Sequence, residues 1–148
     1  MKSVWNAQDH GDLRDRVQRL TPESPAQWGR MNAPQMVTHL TDAIRMASGE
    51  LPTAPKNMPL LRYPPMKQLI LYYLPFPKGA PTAPELLARK PGEWTVEIGQ
   101  LRDQLDQFVR RGPAATMRVH PVFGRLSGKA WGTLVYRHMD HHLKQFGV

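Results

Sequence analysis

The chain has 148 residues, no cysteine, and a net charge of +8 from 20 Lys and Arg against 12 Asp and Glu. This length predicts one domain, residues 1–148, and the lack of thiols excludes disulfides, thiolate metal ligands and a cysteine nucleophile. Without a secretory signal or an apolar run near the ~20 residues that cross a membrane, we expect a cytoplasmic protein without a membrane partner.

The first half of the sequence predicts two helices and a long connection. Leu13 to Leu20 carries apolar residues at helical spacing, and Thr21 with the following proline closes it. A second helix begins at Asn32, a favourable N-cap, and stops at Gly49. Residues 50–65 contain five prolines, which indicates an extended connection.

The second half predicts a short helix and two long ones. Residues 66–74 favour a short helix, although their composition also permits a strand, and residues 75–85 form a rigid loop. The clearest helix lies between Gly92 and Gly112. Its apolar stripe comprises Trp94, Ile98, Leu101, Leu105 and Phe108. After a turn at 120–124, Ser127 caps a last helix that runs to about Phe146. Four main helices without convincing strand pairs predict an all-α fold, a four-helix bundle.

Three histidines lie close together on the last helix. At 100° per residue, His138 and His142 fall within its apolar arc, whereas His141 lies at the edge. Imidazoles at positions i and i+4 are close enough to bind one metal ion. The alternative is a buried pair that hydrogen-bonds within the core.

A metal site would need a further ligand from another helix. His39, at the flank of the second helix, is the best candidate because a packed helix holds it rigidly. His10 and His120 compete for this place, but both are typical of surface or turn residues. Asp42, one turn beyond His39, is either an acceptor that orients His39 or, as its polar side favours, a solvated residue.

Four stretches carry a family resemblance. They are WGRMNAPQMVTHL (28–40), FPKGAPTAPELL (76–87), HPVFGRLSGKAWG (120–132) and YRHMDHHLKQFG (136–147). With the histidine pattern, they resemble a DinB-like bacterial branch of the DinB/YfiT-like superfamily of metalloenzymes. The resemblance implies a four-helix bundle with an up-down-down-up chain path, often dimeric, and a divalent metal at the mouth of the bundle.

By this resemblance the metal ligands are His39, His138 and His142, and His141 is not required as a ligand. The metal is commonly zinc or nickel in the superfamily, and nitrogen ligands also suit iron and copper. Three imidazoles with an open coordination position are typical of a catalytic metal rather than of a closed structural site.

The resemblance implies a metal-dependent enzyme that acts on a small-molecule substrate. The expected reaction is transfer of a low-molecular-weight thiol or a hydrolysis, and a homodimer is the expected assembly. One alternative is a non-catalytic metal-binding or stress-associated protein. The other is a binding module for acidic partners, driven by the +8 charge. Nucleic acid is not expected, because the basic residues are scattered without interleaved aromatics.

Overall fold

The computed structural model describes residues 1–78 and 82–148, and its regular structure there is helical. The helices are α1 (Ala7–Gln18), α2 (Ala33–Ser48), α3 (Met66–Gln68), α4 (Trp94–Arg111) and α5 (Gly128–Gln145). No strand occurs in these two ranges; a single bridge joins His120 to Gly124 in the predicted turn. The predicted all-α fold is confirmed.

The connections contain short helical turns. α3 continues into a π-helical turn, Leu69–Tyr73, so this segment is helical and not a strand. Residues 50–65 are irregular except for a 3₁₀ turn, Pro59–Leu61, and a second 3₁₀ turn, Pro84–Leu86, precedes α4. The predicted loop at 75–85 is irregular up to residue 78, and its residues 79–81 lie outside the described part of the chain.

Helix ends follow the capping residues of the sequence. The side chains of Asn32 and Gln35 form a reciprocal capping box at α2, which ends at Gly49 in the left-handed conformation with φ +85°. Ser127 accepts a hydrogen bond from the amide of Ala130. The prediction for α1 was wrong at its start: the helix begins at Ala7, because Asn6 caps a polar first turn that apolar spacing does not reveal.

Contacts between helix ends define the chain path. α1 and α5 are parallel, because Trp5 bonds the carbonyl of Gly128 near their starts and Arg16 bonds Asp140 near their ends. α2 is antiparallel to α5, since the carbonyl of Trp28, just before α2, accepts a hydrogen bond from Gln145 at the end of α5. Arg111 at the end of α4 donates to the carbonyl of Ser48 at the end of α2, so these two helices are parallel. The path is therefore up-down-down-up.

The core lies where these four helices meet. The stripe of α4 is fully buried at Leu101, Leu105 and Phe108, and only partly buried at its first turn. Trp5 stacks on Phe108 with ring centroids 5.0 Å apart. None of the described helices is both long and apolar enough to span a bilayer.

Gly132→Ala is expected to destabilise the fold, because a Cβ at this position would lie 2.1 Å from Nε1 of Trp5 and force the ring away from Gly128. Overpacking of this kind costs about 1–3 kcal/mol. The control is Gly99→Ala in α4, where a Cβ meets nothing within 4 Å. It should stabilise the protein by about 0.5–1 kcal/mol. Urea unfolding of both variants measures the difference, and equal stabilities would contradict the packing of Trp5.

Candidate metal centre

Three histidines from two helices converge inside the bundle. His39 on α2 meets His138 and His142 on α5, with one ligand nitrogen of each within 4.8 Å of the others. The Nε2 atoms of His39 and His138 are 3.1 Å apart. The side chains of His39 and His142 are buried, at 3% and 7% exposure, whereas His138 is half-buried. The structure thus brings together the three residues that the sequence analysis selected.

Hydrogen bonds orient two of the three rings. Nδ1 of His39 donates to the carbonyl oxygen of Leu86 at 3.3 Å, and Nδ1 of His142 donates to Oε1 of Gln145 at 2.8 Å. We assign the proton to Nδ1 in both rings because each faces an oxygen acceptor. The lone pair of each ring is therefore on Nε2. Metal-binding histidines commonly have this arrangement.

Gln145 is a supporting residue that the sequence analysis missed. It is buried, and its Nε2 donates to the carbonyl of Trp28 at 2.6 Å, which fixes the amide that accepts from His142. Gly29 permits this contact: a Cβ there would lie 2.4 Å from Nε2 of Gln145, and its φ is +84°. The sequence did contain a signal for this role: Gln145 follows His142 by three residues, and residues at i and i+3 share a helix face.

Burial keeps the three imidazoles neutral. Desolvation lowers the pKa of His39 and lowers that of His142 to about 3. The pKa of His138 is well below its usual value, because burial and then the neighbouring His142 and His39 disfavour its charged form. Neutral rings at neutral pH carry the lone pairs that metal binding requires.

The donor set fits a metal ion. Zinc–nitrogen bonds of about 2.0–2.1 Å at tetrahedral angles place two ligand nitrogens about 3.3 Å apart. The separation of 3.1 Å between the Nε2 atoms of His39 and His138 is close to that value. The cluster can therefore hold a metal ion, and its three protein ligands would leave a coordination position open.

The other histidines lie outside this cluster. His10 is not in a turn but on α1, where its Nε2 is 2.9 Å from a carboxylate oxygen of Asp106. His120 lies in the predicted turn, and its Nδ1 accepts hydrogen bonds from the backbone amides of Val122 and Phe123. His141 is half-buried beside the cluster, with its ring edge-on to Trp28.

Asp42 is buried, and the expectation of a solvated residue was wrong. Only 2% of it is exposed, because Arg45 and Arg89 both donate to its carboxylate. The alternative, in which Asp42 orients His39, also fails, since Nδ1 of His39 bonds the carbonyl of Leu86. The helical wheel of α2 could not predict that Arg89 pairs with Asp42, because Arg89 lies in a connection that is distant in the sequence.

Arg89 connects the segment before α4 to two helices through ion pairs. Its Nη1 donates to both carboxylate oxygens of Glu97 at 2.7 and 2.9 Å, and its Nε lies 3.3 Å from both oxygens of Asp42. Glu97 is also buried, at 3% exposure. Because Leu86 is only three residues from Arg89, the same segment carries the carbonyl that orients His39.

The helical fold and a three-histidine cluster describe a class of protein, an all-α bundle able to hold a metal ion. Residues 4–147 match the model of a family described as "Protein of unknown function (DUF1569)". The chain belongs to this family. No curated protein and no solved structure matches the chain.

Arg89→Met is expected to lower the free energy of unfolding by about 3 kcal/mol, since removing one partner leaves buried carboxylates without their counter-charge. The measurement is urea unfolding, with Arg110→Met as control because Arg110 is exposed on the same helix as Glu97. The control should change stability by less than about 0.5 kcal/mol. Equal stability of Arg89→Met and the control would contradict the prediction and would indicate that solvent screens the ion pairs of Arg89 with Asp42 and Glu97.

Proposed function

We propose that the protein is a metalloprotein in which His39, His138 and His142 bind one divalent ion. The observation that supports this most strongly is the orientation of the rings. The Nδ1 protons of His39 and His142 are directed to protein oxygens, so that both Nε2 lone pairs are left for the ion. Zinc or nickel is the expected metal; iron and copper also accept such ligands.

We further propose that the protein is a metal-dependent enzyme of the DinB/YfiT-like kind. The four-helix bundle, its up-down-down-up path and the three-histidine cluster agree with that superfamily, to which the sequence motifs point. A divalent ion held by three imidazoles lowers the pKa of a bound water or thiol, or polarises a carbonyl. Transfer of a small thiol or hydrolysis of a small molecule is the reaction class that we propose.

The side chains around the cluster support this function in three ways. The bundle buries His39 and His142, which keeps bulk water from one side of the cluster. The hydrogen bonds to Leu86 and Gln145 hold the two rings in place, so the rings lose little conformational entropy when an ion binds. His138 is only half-buried, and we propose that a small molecule approaches the cluster from its direction.

The metal site is tested by replacing individual histidines with alanine. Purified protein without an affinity tag should bind about one divalent ion per chain, and His39→Ala and His142→Ala should lose most of that affinity. His141→Ala is the matched control, because His141 lies one residue from a ligand but outside the cluster. Zinc titration by calorimetry and elemental analysis give the result. Loss of metal in His141→Ala with retention in His142→Ala would refute the proposed ligands.

Gln145→Leu should weaken metal binding by about 10- to 100-fold, as the loss of a hydrogen bond to a ligand ring commonly does. The leucine preserves the bulk at this buried position but cannot accept the Nδ1 proton of His142. Gln145→Glu restores an acceptor and should recover part of the affinity. Zinc titration of the two variants is the measurement, and wild-type affinity in Gln145→Leu would remove Gln145 from the support of the site.

Catalysis is tested with a screen of small thiols and hydrolysable esters. Turnover found in the screen should disappear after treatment with a chelator and return when a divalent ion is added back. His142→Ala should lack that turnover, and Lys129→Met serves as the folded comparison, because this exposed lysine lies in the first turn of α5, away from the histidines. Full turnover by the metal-free protein would exclude a metalloenzyme, and binding of metal without any turnover would favour the non-catalytic alternative.

A further inference from the structure

The three-histidine cluster has one member that is only half-buried, His138. Phe76 lies beside His138 and His141, Trp28 lies beside His141, and Lys78 lies over Trp28. We call Trp28, Phe76, Lys78 and His141 the mouth, because a small molecule that approached His138 from this direction would meet them. They come from three separate parts of the chain, and none belongs to the three-histidine cluster.

Aromatic rings form the wall of the mouth. The ring centroid of Phe76 lies 6.5 Å from that of His138 and 6.1 Å from that of His141. The ring of Trp28 is edge-on to His141 at 5.9 Å. Trp28 and Phe76 are both only half-buried, so part of each ring can contact an apolar part of a ligand.

Cations lie over both aromatic rings. Nζ of Lys78 is 4.4 Å from the ring centroid of Trp28, and the guanidinium of Arg137 is 4.9 Å from that of Phe76. Arg137 already donates to the backbone carbonyls of Ile70 and Leu74. Lys78 is exposed and makes no ion pair within residues 1–78 and 82–148, so its ammonium group can bind an anion.

The only carboxylate on this turn of α5 does not offset these charges. Asp140 accepts from Arg16 at 2.8 Å and from Lys144 at 2.7 Å, so two cations already pair with it. The mouth therefore combines an apolar wall with an uncompensated positive charge. Such a surface attracts small anions and repels small cations.

We infer that the mouth selects a small organic acid whose other end coordinates the metal. This inference rests on the proposed metal site. The coordinating group reaches the three imidazoles past His138, the carbon chain lies against Trp28 and Phe76, and the carboxylate binds the ammonium of Lys78. Lys78 is thus a specificity-determining residue that contacts the ligand and not the ion.

The test uses cobalt-loaded protein and two hydroxamates of equal length, succinate monohydroxamate with a terminal carboxylate and butyrohydroxamate with a terminal methyl. Titration of the cobalt absorption bands gives both dissociation constants. The anionic hydroxamate should bind wild-type protein about three- to fivefold more tightly, the effect of one exposed charge pair. The preference should disappear in Lys78→Met, return in Lys78→Arg and decrease with added salt.

Lys129→Met is the control, because this exposed lysine lies in the first turn of α5, whereas the histidines lie near its other end. It should keep the wild-type preference. Equal affinity of wild-type protein for the two hydroxamates, or a preference that persists in Lys78→Met, would overturn the inference while the cobalt spectrum upholds the metal site. Failure of the protein to bind cobalt at all would overturn both.

Discussion

The cluster depends on two nitrogen atoms that face each other inside the bundle. The Nε2 atoms of His39 and His138 are 3.1 Å apart, and the bond from Nδ1 to Leu86 places a lone pair on the first of them. Two lone pairs at this distance would repel each other, so either the neutral His138 ring donates the proton on its Nε2 to His39 or an ion lies between the two nitrogens. The antiparallel contact of α2 with α5 imposes this pairing.

The rest of the bundle supports that contact. Arg89 joins Asp42 on α2 to Glu97 on α4, and so fixes the connection that carries the carbonyl of Leu86. On α5, Gln145 joins His142 to the loop at Trp28. Two connections that are distant in the sequence thus contribute to one site.

Residues within one helix were predictable, and partners from distant segments were not. Apolar spacing predicted the buried faces of α4 and α5 and the inward position of His142, because each depends only on the 3.6-residue repeat. The same reasoning placed Asp42 in solvent, since its partner Arg89 comes from a connection whose path no periodicity describes. The start of α1 was missed for a related reason: its first turn is polar and is defined by the cap at Asn6.

The rings of His39 and His142 are oriented by two different kinds of hydrogen-bond acceptor. His142 depends on a side-chain amide, so only a residue that keeps an acceptor at position 145 preserves its ring orientation. His39 depends on a backbone carbonyl, which every amino acid at position 86 supplies. Diverging sequences are therefore free to change residue 86 within the limits of its packing, while residue 145 stays restricted. A sequence signature for this site would include Gln145 and would overlook Leu86, although both perform the same task.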